Sequence, residues 1–394
     1  MAEMKFTPEY ICTRFGEEGY EDKYHGAVIP PIAASSLHVF KEIEDYLGFD
    51  QGDPRGEYIY GRIGNPTVAL LEKKIAALEG AGGALCYGSG MAAIKAAVLH
   101  CVSPGDHIVS VLNAYGPARD FFDTRLSKLG IEVTYVRGHD PSDFESAARS
   151  NTTLFYLESP SSLLMEMQDL EAVAAIAKKR GIKTVIDNTW ATPLYQQPLS
   201  LGIDIVMHTM SKYIGGHSDI IGGVLCSDAD TIQNSLFPAR SLDGGILSPF
   251  EAWLTLRGLR TLPIRVKKSG ESAMALAGFL EKSPHVKRVF YPGLASNPQA
   301  DLAARQMSGF TGLLSFEPDA SPEQSTRLVN SLSRFHIGVS WGGFESLAVM
   351  PMYKLSEKQA AECGGSRCLI RLYCGLEDTD ELISDVSAAF AQVF

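Results

Sequence analysis

The chain has 394 residues, 45% of them hydrophobic and 21% charged, with a formal net charge of −11. That length exceeds what one core usually supports and predicts two domains. The acidic balance, with no basic stripe or run, argues against nucleic acid as a partner. No stretch approaches the roughly 18 consecutive apolar residues of a membrane span, and Met1-Ala2-Glu3-Met4-Lys5-Phe6 is too acidic and too poor in apolar residues for a signal peptide, so a cytoplasmic protein is expected. The cysteines at 12, 86, 101, 226, 363, 368 and 374 form no Cys-x-x-Cys pair, which predicts reduced thiols and no structural zinc.

The first sixty residues are irregular and rich in Pro, Gly and aromatics, as in Ile29-Pro30-Pro31 and Gln51-Gly52-Asp53-Pro54-Arg55-Gly56. Residues 1–60 are expected to form an arm contacting a partner subunit. From Pro66 the pattern alternates between helices (67–78, 91–100) and short apolar runs (84–87, 108–112, 133–136, 153–157, 184–186, 203–207, 223–226). Runs this short, apolar throughout and separated by helices, predict a mostly parallel central sheet with helices on both faces. One helix shows the period clearly: Leu170, Val173, Ala174, Ile176 and Ala177 share a face, Asp169 can cap its start and Gly181 can end it. A large domain over 61–260 is therefore expected, followed by a smaller C-terminal α+β domain over 261–394. The latter has helices at 267–281, from Pro322, and at 378–393, with strands near 286–290 and 312–316.

In open α/β sheets ligands bind beyond the carboxyl ends of the strands. Gly88-Ser89-Gly90-Met91 follows one run and opens a helix, offering free N–H groups and a positive dipole end to a phosphate. A lone loop of this kind is as often a plain tight turn. It also spells Gly88-x-Gly90-x-x-Ala93, a variant of the nicotinamide-dinucleotide fingerprint, but the next run ends at Leu112-Asn113 without the acid that would hold a ribose hydroxyl.

Two further runs end in chemistry-bearing side chains. Val185-Ile186-Asp187-Asn188 sets a carboxylate after a strand, and Thr209-Met210-Ser211-Lys212 sets an amine after another. Taken singly, such charges are usually solvated surface groups. Together beside a phosphate loop, they are the two groups that pyridoxal 5′-phosphate (PLP) requires: a lysine for its aldehyde and a carboxylate for its pyridine nitrogen. His217 and Asp219 are read as turn-stabilising, because no third metal ligand stands at a recognisable spacing. No Gly-x-Ser-x-Gly elbow supports a hydrolase.

Ser211-Lys212-Tyr213-x-x-Gly216-His217-Ser218-Asp219, with Ile186-Asp187-Asn188-Thr189-Trp190, Tyr60-Gly61-Arg62, Gly64-Asn65-Pro66-Thr67, Arg371-Leu372 and Gly375-Leu376-Glu377, resembles the PLP-dependent trans-sulfuration enzymes of cysteine and methionine metabolism. The likeness runs over nearly the whole chain. It implies the aspartate-aminotransferase-like fold, PLP fold type I, and a homotetramer built as a dimer of dimers. By the same resemblance Lys212 carries the cofactor, Asp187 pairs with the pyridine nitrogen and Tyr115 stacks on the ring. The phosphate is held by Gly90, Met91, Thr209 and Ser211 and by Tyr60 and Arg62 reaching from the neighbouring subunit. Arg371 takes the substrate carboxylate, Ser340 helps position Lys212 or that carboxylate, and Trp341 and Tyr115 join them in binding substrate.

Within the family, Leu157-Glu158-Ser159-Pro160-Ser161-Ser162, Ser340-Trp341-Gly342-Gly343-Phe344-Glu345-Ser346-Leu347 and Leu369-Ile370-Arg371-Leu372 resemble the bacterial cystathionine β-lyase branch. Ser162 stands where γ-acting relatives usually carry asparagine, which puts that contact to the cofactor's ring hydroxyl in doubt. Tyr115 is followed by Gly116-Pro117, whereas bacterial methionine γ-lyases carry a cysteine there. The expected reaction is β-elimination of cystathionine to homocysteine, pyruvate and ammonia. The alternatives are a γ-lyase or γ-synthase of the same family and a broad cysteine-S-conjugate β-lyase.

Overall fold

The computed structural model describes residues 6–48 and 58–394; Met1–Lys5 and the Gln51–Gly56 stretch lie outside the described residues. Seven strands form the large sheet: β1 (Gly83–Tyr87), β2 (His107–Val111), β3 (Glu132–Val136), β4 (Thr152–Glu158), β5 (Lys183–Asp187), β6 (Ile205–Thr209) and β7 (Gly223–Ser227), in the order β1-β7-β6-β5-β4-β2-β3. The run β6-β5-β4-β2-β3 is parallel, while β7 is antiparallel to both β1 and β6. Two antiparallel steps restore the direction, so β1 ends on the same edge as β6. Every residue of β2 and β7 is buried, as expected of a sheet covered on both faces. The edge strand β3 is exposed or half-buried throughout.

The helices follow their sequence signals. Asn65 caps Pro66–Glu79, accepting from Thr67 N at 2.9 Å, and Gly80 ends it at φ 66°. Asp169 caps Leu170–Arg180 by accepting from Ala172 N at 3.2 Å, and Gly181 closes it at φ 68°. Leu170, Val173, Ala174 and Ala177 of that helix are buried, each large apolar side chain contributing about 1.5–3 kcal/mol. Ile176 is only partly buried against the core.

A second sheet contains β8 (Val286–Phe290), β9 (Leu313–Pro318), β10 (His336–Ile337), β11 (Leu347–Val349) and β12 (Ile370–Tyr373), in the order β10-β11-β12-β9-β8. Helices Leu262–Lys282 and Thr379–Val393 pack against each other, and the former also packs on β8 and β9. The sequence reading anticipates β8 and β9 but not the three remaining strands, which are two to four residues long. It also starts the long helix at Lys267, five residues late. Pro263 sits in the first turn, where its missing N–H costs nothing. The arm contains short helical turns at Pro8–Thr13, Tyr20–Lys23 and Ile43–Leu47, where no period was legible. No helix among the described residues is long and apolar enough to cross a membrane.

Candidate active site

The carboxyl ends of β4, β5 and β6 lie side by side, and their pairing aligns Glu158 with Asp187 and Asp187 with Met207. Asp187 is buried at 7% exposure. Its Oδ1 accepts from Thr189 N at 3.0 Å and Thr189 Oγ1 at 2.5 Å. Thr189 Oγ1 also accepts from Thr209 N at 2.8 Å, locking the ends of β5 and β6 together. Oδ2 accepts from no described residue. Burial holds the Asp187 carboxyl above its ordinary value against the Thr189 hydrogen bonds. Such a carboxylate is stabilised by a cation presented to its open oxygen.

Lys212 follows β6. Its Nζ donates to Ser340 Oγ at 2.5 Å and lies 5.4 Å from the centre of the Trp341 ring. Burial, aided by the Arg371 charge and opposed by Asp187, pulls the amine down to about 8. A larger fraction is therefore the free base near neutral pH than for an ordinary lysine. Ser340 reaches the amine with φ 84°, and Gly342 follows at φ 87°; a Cβ on Gly342 would stand 2.9 Å from Lys212 Cα. The loop is tied down by Tyr373 OH donating to the Gly343 carbonyl at 2.7 Å. Ser346 adds a second tie, its N and Oγ donating to the Glu377 carboxylate at 2.8 and 2.7 Å. Ser218 Oγ, on the loop after Lys212, donates to Glu345 Oε1 at 2.5 Å.

Gly90 opens the helix Gly90–Cys101, whose N-cap Ser89 accepts from Ala92 N at 3.1 Å. The N–H groups of the first turn that Ser89 leaves free point beyond the helix. A Cβ on Gly90 would come 2.4 Å from Thr209 Oγ1, so glycine there keeps the Thr209 hydroxyl against the helix start. Ser211 Oγ accepts from Gly222 N at 3.2 Å. Arg371, on β12, donates one Nη1 bond to the Ser162 carbonyl at 3.1 Å, leaving the rest of its fork for an anion; burial lowers it to about 10, with Glu158 opposing. Tyr115 is the N-terminal cap residue of Gly116–Phe121, half exposed, and within electrostatic reach of Asp187, Glu158 and Arg371.

One chain thus brings Lys212, Asp187, Tyr115, Gly90, Met91, Thr209, Ser211, Arg371, Ser340 and Trp341 to the neighbouring strand ends and the facing loop. It does not bring Tyr60 and Arg62. Arg62 donates to the Ser241 carbonyl, and both line a pocket with Ile32, Ala34, Ile246 and Phe250 that includes none of the residues above. His217 Nδ1 pairs with the Gly215 carbonyl at 2.8 Å, closing a turn. Glu158 has no role in the sequence reading, although it ends an apolar run just as Asp187 does; that position was the signal. An amine, a buried carboxylate with an open oxygen and a glycine-built anion cradle match the aldehyde, ring nitrogen and phosphate of PLP.

This constellation on a covered, mostly parallel sheet defines an enzyme of PLP fold type I. The family model described as "Cys/Met metabolism PLP-dependent enzyme" matches residues 13–391. Cystathionine gamma-lyase of Dictyostelium discoideum is 38% identical over 93% of this chain and 94% of its own. A putative cystathionine beta-lyase of Rhizobium johnstonii is 37% identical over 96% and 94%. The chain spans 66% of the longer chloroplastic cystathionine gamma-synthase 1 of Arabidopsis thaliana, at 37% identity. The crystal structure of metB from Corynebacterium glutamicum superposes with a TM-score of 0.91 at 34% identity, covering 99% of both chains. The chain belongs to the Cys/Met metabolism PLP-dependent enzymes, a family of cystathionine and methionine lyases and synthases.

Proposed function

We propose that the chain is a carbon–sulfur lyase that eliminates the β substituent of L-cystathionine, with water, to give homocysteine, pyruvate and ammonia. The observation that carries this reading is the Ser340-Trp341 pair enclosing the Lys212 amine, with the hydroxyl at 2.5 Å and the indole ring at 5.4 Å. Ser162 beside Arg371 and Gly116-Pro117 after Tyr115 add to it.

PLP, when bound, supplies an electron-poor ring that takes up the electron pair left at the substrate's α carbon. Lys212 carries the cofactor at rest. Once displaced from the cofactor by the substrate's amine, its Nζ, whose charged form burial disfavours, would take the α proton. Asp187 holds the proton on the pyridine nitrogen, and its fixed charge costs no reorganisation when the reaction proceeds. Arg371 grips the α-carboxylate, and Tyr115 covers the ring. Gly90, Met91, Thr209 and Ser211 hold the phosphate from one chain. Tyr60 and Arg62, displaced from their own Lys212, suit the phosphate of a second chain, which makes the active unit a dimer and accommodates a tetramer of two dimers. The arm over 1–60, the large domain over 61–260 and the small domain over 261–394 divide these duties, with Arg371 and Ser340 on the small domain.

The test is to incubate the PLP-loaded protein with L-cystathionine and identify the oxo acid. Pyruvate with homocysteine supports the reading. Release of 2-oxobutyrate with cysteine moves the enzyme to the γ branch, to which several of its relatives are assigned by name.

A further inference from the structure

Glu158 is 4% exposed and forms no ion pair among the described residues. Its Oε2 accepts from Tyr115 N at 2.6 Å and its Oε1 from Ser162 N at 2.7 Å. These donors sit on different segments: Tyr115 four residues beyond β2, Ser162 four beyond β4. The Ser162 carbonyl in turn receives Arg371 Nη1 at 3.1 Å. One carboxylate therefore fixes the backbone that aims the Tyr115 ring and the backbone that seats the Arg371 fork.

We propose that Glu158 is a positioning residue of the active site, holding the ring-stacking Tyr115 and, through Ser162, the carboxylate-binding Arg371 in one register. The proposal rests on the reading of Lys212, Tyr115 and Arg371 as cofactor and substrate residues.

Only a carboxylate offers two acceptor oxygens to two separate N–H donors; an amide of the same shape would turn its NH2 towards one of them. Burying an acid that no basic side chain pairs directly is costly even with the Arg371 charge nearby, and simple packing does not call for it. Burial, and then Asp187 in register on the next strand, push the Glu158 carboxyl above its ordinary value. The two N–H bonds are among the interactions that pull it back. The site thus carries an expensive group at the point where three functional side chains meet, a local conflict of the kind that marks functional positions.

The experiment compares wild type, Glu158→Gln and Glu158→Asp as PLP-loaded enzymes. In each, borohydride reduction and peptide mapping locate the cofactor, visible circular dichroism reports the asymmetry of its surroundings, and KM and kcat are separated. Glu158→Gln is expected to keep the label on Lys212, to change the visible dichroism, and to lower kcat/KM by at least about tenfold, with a raised KM showing that Arg371 has moved. Glu158→Asp, which keeps the charge but is one methylene shorter, is expected to recover part of the signal and covers the case in which the glutamine variant fails to fold. Wild-type dichroism with unchanged KM and kcat in both variants overturns the proposal. So does a loss of activity matched by a loss of folded protein with an unaltered dichroic band per folded molecule, which would make Glu158 purely structural. A label absent from Lys212 in the wild type removes the underlying site reading itself, and is distinct from either result.

Discussion

Lys212 and Ser340 meet across the two sheets of the molecule: the amine that follows β6 donates to a hydroxyl presented from the loop between β10 and β11, at 2.5 Å. The serine does so with φ 84°, a conformation that costs a non-glycine residue about 1–3 kcal/mol. The ties at Gly343 and Ser346, just after it in the chain, hold the loop there.

Ser340→Ala and Ser340→Gly separate the hydroxyl from the backbone. Both remove the acceptor from Lys212 and are expected to lower kcat by roughly tenfold or more, since bonds to charged groups contribute about 1.5–3 kcal/mol. Glycine also relieves the left-handed strain. The Gly variant is therefore expected to melt above the Ala variant, by calorimetry, at equal activity. Unequal activities would assign the effect to the backbone instead.

The Lys212 amine sits at about 8 because burial, and then Arg371, disfavour its charged form. The reactive species towards an aldehyde is the free base. Uptake of PLP by the apoprotein, followed by absorbance, is accordingly expected to accelerate with rising pH through a midpoint near 8 and then to level off. An ordinary lysine would keep accelerating towards 10.5. Arg371→Ala removes a neighbouring positive charge and is expected to move the midpoint upward; a midpoint that stays put would show that burial alone sets it.

Much of this site was legible because strand ends are legible. Asp187 and Lys212 each follow an apolar run of buried strand, and Gly90 opens a helix after another, so the rule that ligands gather at carboxyl ends found them without a structure. Arg371 was different. Its strand, Ile370–Tyr373, is four residues long and only partly apolar, too short for alternation to show, and its proposed role came from the motif alone. Glu158 stood in plain view at a strand end, yet its partners are backbone N–H groups 43 and 4 residues away, which no side-chain pattern announces. The antiparallel setting of β7 likewise depends on tertiary pairing, since an apolar run carries no direction.

Gly90 is expected to tolerate no side chain. An added Cβ would meet Thr209 Oγ1 at 2.4 Å and Thr209 Cβ at 3.3 Å, and overpacking of this kind costs about 1–3 kcal/mol. Gly90→Ala is expected to weaken PLP retention on dialysis by about tenfold or more. Gly90→Ala combined with Thr209→Ala removes the nearer clash. Stability is expected to return in the double variant, whereas retention remains below wild type, because the hydroxyl offered to the phosphate is gone. Full recovery of retention would show that Thr209 does not hold it.

Asp187→Asn keeps the size of the side chain but cannot carry the charge that the proposed pairing with the pyridine nitrogen requires. The variant is expected to retain PLP on Lys212 and to lose several kcal/mol of rate acceleration, roughly a hundredfold or more in kcat. Near-normal turnover in a variant with full cofactor occupancy would remove the electron-sink role from Asp187.

Tyr60 and Arg62 test the assembly. Within one chain Arg62 is engaged by the Ser241 carbonyl, and the pocket that both residues line excludes Lys212, so a phosphate-binding role requires a second copy. Around them the arm exposes Val28, Ile29, Leu37, Val39 and Leu47, each at least half exposed, more apolar surface than an isolated monomer usually leaves in one region. If each site draws Lys212 from one chain and Arg62 from the other, a hybrid of Lys212→Ala and Arg62→Ala chains contains one site with both residues intact and one with neither. Each homodimer is then expected to be nearly inactive, Lys212→Ala for want of the amine and Arg62→Ala for want of the phosphate clamp. Mixed chains, exchanged under mild denaturant and verified as hybrids by mass, are expected to regain up to half of the wild-type activity per dimer. Verified hybrids no more active than the average of their parents would place Tyr60 and Arg62 outside the neighbouring site.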